Sequence, residues 1–298
     1  MTRMVITGAG GFLGRATLAA ALADPRVSHV VASDLAELNF AHPRLTVLQC
    51  DLTDPALLDA AASADVVIHL AGILGGAAAA NPVAAEAVNI DASRRLMAAC
   101  ARGARFVFAS SLAVLGDTRD SRAPVMIYGK HKATIELAVE DATQRGLLDG
   151  VSLRPGGIVA RPDDGAALKS GFLSAVFWAV RQGRDITLPV SATAQTWLAS
   201  APVVAAQFMR AAMIPALGPQ RSITLPMLRA GFGDLVAGLH QACPDSTARV
   251  TYAPQPDMMR LFGQAQPLNF APGRALHLAP DPDIATLIAN ATPHGDTP

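Results

Sequence analysis

Val5-Ile6-Thr7-Gly8-Ala9-Gly10-Gly11-Phe12-Leu13-Gly14 is the stretch on which the reading of this chain turns. An apolar, β-branched run leads into it, and an Ala- and Leu-rich stretch with helical character leads out. Gly8, Gly11 and Gly14 let the backbone turn tightly, approach a pyrophosphate closely and pack the helix against the strand. The first turn of that helix, at Phe12 and Leu13, presents backbone N–H groups with no partner inside the helix, and these suit phosphate oxygens. A glycine turn without a ligand could use the same residues. The placement between strand and helix favours a dinucleotide.

Working outward, short β-branched runs alternate with Ala-rich helical stretches. Strands are expected at Arg3–Thr7, Val27–Ser33, Leu45–Cys50, Val66–Leu70, Arg105–Ala109 and Val151–Leu153, with helices near 13–23, 54–62, 83–102 and 128–145. This alternation implies βαβ units and a parallel sheet, and runs without polar alternation imply strands covered on both faces. After Arg154-Pro155-Gly156-Gly157, Pro and Gly become frequent. Helices are expected near 168–182, 203–213, 231–242 and 282–291, and strands at Ile186–Pro189, Ser222–Leu225 and Arg274–Leu278. The fold class is therefore α/β, a Rossmann-type doubly wound parallel sheet with a smaller C-terminal α+β substrate lobe. The expected division is 1–160 and 161–298, with 185–205 returning to the first domain.

The chain has 298 residues, enough to bury an ample core. Lys+Arg and Asp+Glu both number 24, and zero net charge argues against nucleic acid. A mean hydropathy of +0.32 raises the membrane question. The charge-free spans Val66–Ala85 and Ile186–Met209 are interrupted by Gly, Pro and polar residues, so no membrane insertion is expected. The chain reaches a strand and glycine turn at once, without an apolar signal core, and Cys50, Cys100 and Cys243 form no CxxC. Both point to reduced thiols in the cytoplasm. The seven His show no metal-ligand spacing, so no metal is expected. His69 reads as a satisfied strand-end residue, and His131 as lying on the solvated side of its helix.

The chemistry is concentrated in a few positions. Asp34 ends the second strand, 20 residues beyond Gly14, where a carboxylate accepts both ribose hydroxyls of NAD and repels a 2′-phosphate. Asp51-Leu52 follows the third strand and suits either the adenine or, with Asp54-Pro55, a helix start. Leu70-Ala71-Gly72 offers small residues where the backbone should approach the cofactor closely. Ser110-Ser111 ends the fifth strand, on the carboxyl edge of the sheet. Tyr128 and Lys132, four residues apart, share one helix face. An ammonium and an oxidised nicotinamide both favour the phenolate. Tyr128 can then take a proton from an alcohol as its carbon loses hydride, Ser111 can bind the same oxygen, and Lys132 can also hold the nicotinamide ribose.

With these residues in place, the chain resembles the extended short-chain dehydrogenases/reductases of the NAD-dependent epimerase/dehydratase group. TGAGGFLG, Asp51-Leu52, HLAG at 69–72, Asn89, SSLAVLG at 110–116 and YGKHK at 128–132 fall in that family's order. Within the group it is most similar to the D-erythronate dehydrogenases, which are four-carbon sugar-acid oxidoreductases. SGFLS at 170–174, LPVSATAQTW at 188–197 and ITLP at 223–226 carry that likeness. The resemblance implies NAD as cofactor, with Asn89, Ala109 and Pro155 joining the residues named above, and a homodimer built on helices 83–102 and 128–145. Asn89 reads equally well as a polar residue at a helix interface.

Departures from the family bear on the substrate. Gly157 stands where nucleotide-sugar epimerases carry Asn, and their charged stretch is replaced by 195–202, here QTWLASAP. Trp178 and Ala166 replace an Arg and an Asn of the erythronate-type enzymes. Trp178, with Phe172, Val176 and Val180, reads as helix packing. A carboxylate substrate needs cations, for which Arg154, Arg161 and Lys169 are available; Arg161, Lys169 and Ser170 are the chosen substrate residues. Three functions remain in view: an NAD-dependent dehydrogenase of a small hydroxy acid, a nucleotide-sugar epimerase or dehydratase, and a dinucleotide-sensing regulator. Retention of Ser111, Tyr128 and Lys132 disfavours the last.

Overall fold

The computed structural model describes residues 1–116, 122–162 and 169–292. Among these residues, the strands in chain order are β1 (Thr2–Thr7), β2 (Val27–Asp34), β3 (Leu45–Gln49), β4 (Val66–His69), β5 (Arg105–Ala109), β6 (Asp149–Arg154), β7 (Gly157–Val159), β8 (Ile186–Leu188), β9 (Gln195–Ser200), β10 (Ser222–Thr224), β11 (Leu228–Gly231) and β12 (Val250–Tyr252). The helices are α1 (Phe12–Ala23), α2 (Pro55–Ala62), α3 (Gly75–Ala80), α4 (Pro82–Glu86), α5 (Ser93–Ala99), α6 (Ile127–Gln144), α7 (Phe172–Arg181), α8 (Ala201–Met213), α9 (Phe232–Ala242), α10 (Pro256–Phe262), α11 (Ala271–Ala275) and α12 (Ile284–Ala291).

The chain divides into two units. The first holds Met1–Pro155, Ala205–Leu225 and Asn269–Leu278; the second holds Gly156–Val204, Pro226–Leu268 and the chain from Ala279 on. Two segments therefore rejoin the first unit, Ala205–Leu225 and Asn269–Leu278, in place of the 185–205 stretch expected. Strand pairing is the reason: β8 and β9 bond to β12, β11 and β7, whereas β10 pairs with β6.

The first unit is built on a parallel sheet of seven strands, ordered β10-β6-β5-β4-β1-β2-β3. The order reverses between β1 and β4, the point at which open α/β sheets bind ligands beyond the strand C-termini. β4 and β5 are buried at every position, as strands covered on both faces must be. Leu57, Ala61, Leu96, Phe106, Phe108, Ile135 and Val139 pack as one apolar cluster of this unit.

In the second unit β11-β9-β7 form one small sheet and β12-β8 another. Its core joins Val176, Phe177, Trp178 and Val180 of α7 to Phe232, Leu235 and Leu239 of α9, and to Leu287 and Ile288 of α12.

The structure adds α3, α10, β7, β9, β11 and β12 to the elements expected, and two expected elements take another form. Arg274–Leu278 is not a strand: the chain forms α11, entered through a Pro in its first turn, and the Leu276 and Leu278 N–H groups return to the Gly273 carbonyl. Alternating apolar residues there imitate a strand. The helix expected over 83–102 runs without a break from Pro82 to Ala99 through α4 and α5, but with a π-helical turn at Ala87–Ala92 in its middle. Among the described residues no helix is long and apolar enough to cross a membrane.

Candidate active site

Beyond the C-terminal end of β1, Gly8 adopts φ +68°. A Cβ there would lie 2.6 Å from the Ala71 nitrogen, and a Cβ at Gly14 would lie 2.0 Å from the Gly8 carbonyl oxygen. Only glycine permits both approaches. Gly11 is the N-cap of α1 and makes no side-chain cap bond. At Gly11 a Cβ would meet only the Gly8 carbonyl, at 3.3 Å. A tight turn, a close second loop and an uncapped helix start together fit the pyrophosphate of a dinucleotide.

Asp34 ends β2 beside this turn. One carboxylate oxygen accepts the Gly10 N–H at 2.8 Å and the other the Ala36 N–H at 3.0 Å, which fixes the group at the rim of the glycine loop. Arg15 is held nearby by a bond to the Gly10 carbonyl. Asp51 accepts the N–H and hydroxyl of Thr53, which hold its carboxyl below the usual range. The helix cap itself is Asp54, bonded to the Ala56 N–H. The Leu52 side chain is buried in the core of this unit.

Past β4, a buried polar chain ties the two loops together. His69 Nδ1 lies 2.7 Å from the Thr7 hydroxyl, and Nε2 lies 2.9 Å from that of Ser93. Burial, with the Lys132 charge as a lesser cause, pushes the His69 pKa down to about 3, so the ring is neutral. Asn89 sits in the π-helical turn and grips Ile73 twice: its carbonyl oxygen accepts the Ile73 N–H at 2.7 Å, and its amide donates to the Ile73 carbonyl at 2.9 Å. The Leu70-Ala71-Gly72 loop is thus held from both ends. His131 is not solvated; it is 8% exposed, with Nδ1 at 3.4 Å from the Asn89 amide. The π-helical turn carries Asn89 on a helix stretch packed against α6, which covers His131.

β5 ends at buried Ala109, and Ser111 caps the short 3-10 turn Leu112–Val114 by accepting the Ala113 N–H. The Pro155 carbonyl accepts the Leu112 N–H and pins this turn to the end of β6. The start of α6 packs directly on the turn: a Cβ at Gly129 would lie 2.4 Å from the Ala113 carbonyl oxygen. Ser111 and Tyr128 therefore come from segments in contact. Lys132 is 4% exposed, its Nζ 4.6 Å from the Phe108 ring centre and 5.6 Å from that of Tyr128. The same Nζ would lie 3.6 Å from a Cβ on Gly72. Burial pushes its pKa down to about 8, opposed by the Glu136 charge.

Arg154 is not available to a substrate. Its Nε and one terminal nitrogen donate to Glu136 at 2.7 and 2.6 Å. Glu136, fully buried, is a residue that the sequence reading missed. A YxxxK reading extended by one further turn would have found it on the same helix face.

Arg161, Lys169 and Ser170 belong to the second unit. The Arg161 N–H donates to the Ser174 hydroxyl, and its carbonyl accepts the Trp178 indole N–H at 2.7 Å. Trp178 is buried in the core and at the same time anchors the Arg161 backbone. Lys169 is exposed and Ser170 partly so. Ala166 lies outside the described residues. Gly157 pairs with Leu198, and a Cβ there would lie 3.0 Å from both the Leu198 side chain and the Trp197 carbonyl. An Asn there would be tightly packed, needing the Leu198 side chain and the Trp197 carbonyl to give by a few tenths of an ångström.

Residues 4–210 match the family described as NAD dependent epimerase/dehydratase. A D-erythronate dehydrogenase of Haemophilus influenzae is 32% identical over 261 residues, covering 80% of this chain and 82% of that protein. One from Cupriavidus necator is 30% identical over 285 residues, 87% and 88% of the two chains. Among solved structures, a nucleoside-diphosphate-sugar epimerase from Agrobacterium tumefaciens superposes with a TM-score of 0.82 at 26% identity, covering 96% of this chain and 92% of that one.

Proposed function

The chain belongs to the NAD dependent epimerase/dehydratase family, and from that premise we propose that it oxidises a secondary alcohol of a small sugar acid of the D-erythronate kind, with Tyr128 as general base. It is an NAD-dependent dehydrogenase. The observation that carries the proposed mechanism is the place of the Lys132 ammonium, beside the Tyr128 ring and facing Gly72. The two curated relatives, similar over most of their length, support the substrate class.

Bound NAD supplies the hydride acceptor. Gly8, Gly11, Phe12 and Leu13 would hold its pyrophosphate and Asp34 its adenosine ribose. Asp51 and Leu52 would flank the adenine, and Leu70, Ala71, Gly72, Ala109 and Pro155 would line the remainder. Asn89 shapes that wall through Ile73. Tyr128 takes the alcohol proton while hydride leaves the same carbon, yielding a ketone. The neighbouring Lys132 ammonium favours the phenolate, and Ser111 hydrogen-bonds the alcohol oxygen. Arg161, Lys169 and Ser170 are the groups proposed for the carboxylate, where a charge-assisted bond is strong.

The likeness to the Agrobacterium epimerase favours one second reading, a nucleotide-sugar epimerase. The tight packing at Gly157 speaks against it. A panel of sugar acids, polyols and nucleoside-diphosphate sugars with NAD, read by absorbance of the reduced cofactor, separates the two. Net reduction with D-erythronate or a close homologue supports the dehydrogenase; faster turnover of a nucleotide sugar replaces it. Val83 of α4 and Leu137 of α6, 80% and 55% exposed, offer apolar surface to a homodimer, which sedimentation would test. Cys50, Cys100 and Cys243 are free thiols, which supports a cytoplasmic location.

A further inference from the structure

Glu136 is a buried carboxylate that accepts four side-chain hydrogen bonds. It follows Tyr128 and Lys132 on α6 at the same four-residue interval, so all three share one helix face. Its carboxylate is fully buried and accepts from three residues: Ser110 Oγ at 2.6 Å, Arg154 at 2.7 and 2.6 Å, and Arg122 at 2.7 Å. Burial opposes its charge, but Arg154 first, then Ser110 and Arg122, hold the carboxyl below its ordinary range. The donors come from different parts of the fold. Ser110 follows β5, Arg154 ends β6, and Arg122 immediately precedes the approach to α6.

Ser110 is the one donor adjacent to a proposed reacting group. It is 3% exposed, and its N–H is bonded to the Leu153 carbonyl at 2.8 Å. Its hydroxyl and backbone are thus both held, and the next residue is Ser111. A short bond to a carboxylate is directional and about twice as strong as a neutral one. It leaves Ser110, and with it the direction in which β5 releases Ser111, little freedom.

Resting on the reading of Ser111 and Tyr128 given above, we infer that Ser110 is a positioning residue, clamped by the buried Glu136 carboxylate so that Ser111 is presented in register with Tyr128 and Lys132 on α6. Ser110 touches neither substrate nor cofactor in this role. It links the end of β5 to the helix that carries the base, and a shift of about 1 Å in a reacting group can cost a hundredfold in rate.

A double-mutant cycle on kcat tests this, with NAD and the sugar acid that wild type oxidises fastest. The variants are Ser110→Ala, Ser111→Ala and the two combined. Ser110→Ala keeps the Glu136–Arg154 and Glu136–Arg122 pairs, so the protein should remain folded. Its kcat should fall about tenfold, with NADH affinity by fluorescence titration unchanged. In the Ser111→Ala background the same change should cost less than twofold, because the group it positions is gone. Losses that multiply, or a Ser110→Ala enzyme with wild-type kcat, overturn the inference. If Ser111→Ala alone costs nothing, the reading of the site fails instead. If no acid reduces NAD with wild type, that reading falls and the inference with it.

Discussion

The first unit buries its polar side chains in directed strings: Thr7–His69–Ser93, Asn89–Ile73, and Ser110–Glu136–Arg154. The second relies on apolar contact. Phe177, Trp178, Phe232, Leu235, Leu287 and Ile288 fill its core. Its principal polar knot is Asp281, which accepts from the Ser200 N–H and hydroxyl and from Asn290. The contrast is physical. Hydrogen bonds fix angles, and a buried polar group that loses its partner costs about 1–3 kcal/mol, so such strings resist displacement. Apolar burial fixes volume and tolerates repacking. A reaction that needs a phenol, an ammonium and a hydroxyl in register belongs on the first kind of scaffold. Recognition of a substrate can evolve on the second.

Four measurements would break or sharpen that contrast. The largest effect belongs to the first unit. Tyr128→Phe should lower kcat by about 10²–10⁴ and leave NAD affinity nearly unchanged in a titration. Near-normal turnover in a folded variant would remove the catalytic half of the comparison.

The next concerns the cost of placing an ammonium inside that unit. The Lys132 pKa falls from 10.5 to about 8 on folding, mainly through burial. The unfolded chain then binds its proton more tightly, so Lys132 destabilises the fold at and below pH 8, and the penalty is relieved as pH rises from about 8 to about 10.5. Lys132→Met should be more stable than wild type at pH 7, by on the order of 2–3 kcal/mol, and the difference should shrink by pH 10. Urea denaturation at both pH values decides it. A variant less stable at pH 7 would mean that the ammonium is net stabilising, contrary to this account.

In the second unit, Arg161→Ala should reduce kcat/KM on a sugar acid by roughly ten- to a hundredfold, for a loss of about 1.5–3 kcal/mol, and spare a matched neutral polyol. Equal losses on both substrates would show that Arg161 matters for folding rather than for charge. The smallest effect returns to the glycine loop. If Asp34 accepts the adenosine ribose hydroxyls as proposed, NAD should bind about tenfold more tightly than NADP, whose 2′-phosphate the carboxylate would repel. Tighter NADP binding in a parallel titration would reassign Asp34 to loop bracing through Gly10 alone.

Much of the first unit was legible in the sequence because its signals are local. Strand ends at Thr7, Asp34 and Ala109, the α6 start and the caps follow from runs and turns a few residues long. The second unit was read less well. β7, β11 and β12 are three or four residues long, too short to show a period; in the first unit, the pattern at Arg274–Leu278 likewise imitated a strand. Arg154 and His131 were misjudged for a different reason: their partners, Glu136 and Asn89, are 18 and 42 positions away.

By itself the sequence determined the dinucleotide turn, the parallel α/β class and the Tyr128–Lys132 spacing, since glycine sterics, hydrophobic period and helix pitch act within a few residues. Only the tertiary structure decided which polar groups are already taken. Glu136 takes Ser110, Arg122 and Arg154; Asn89 takes Ile73; Trp178 takes the Arg161 carbonyl. Buried polar atoms must find partners wherever the fold brings them together, and no local pattern records where that is.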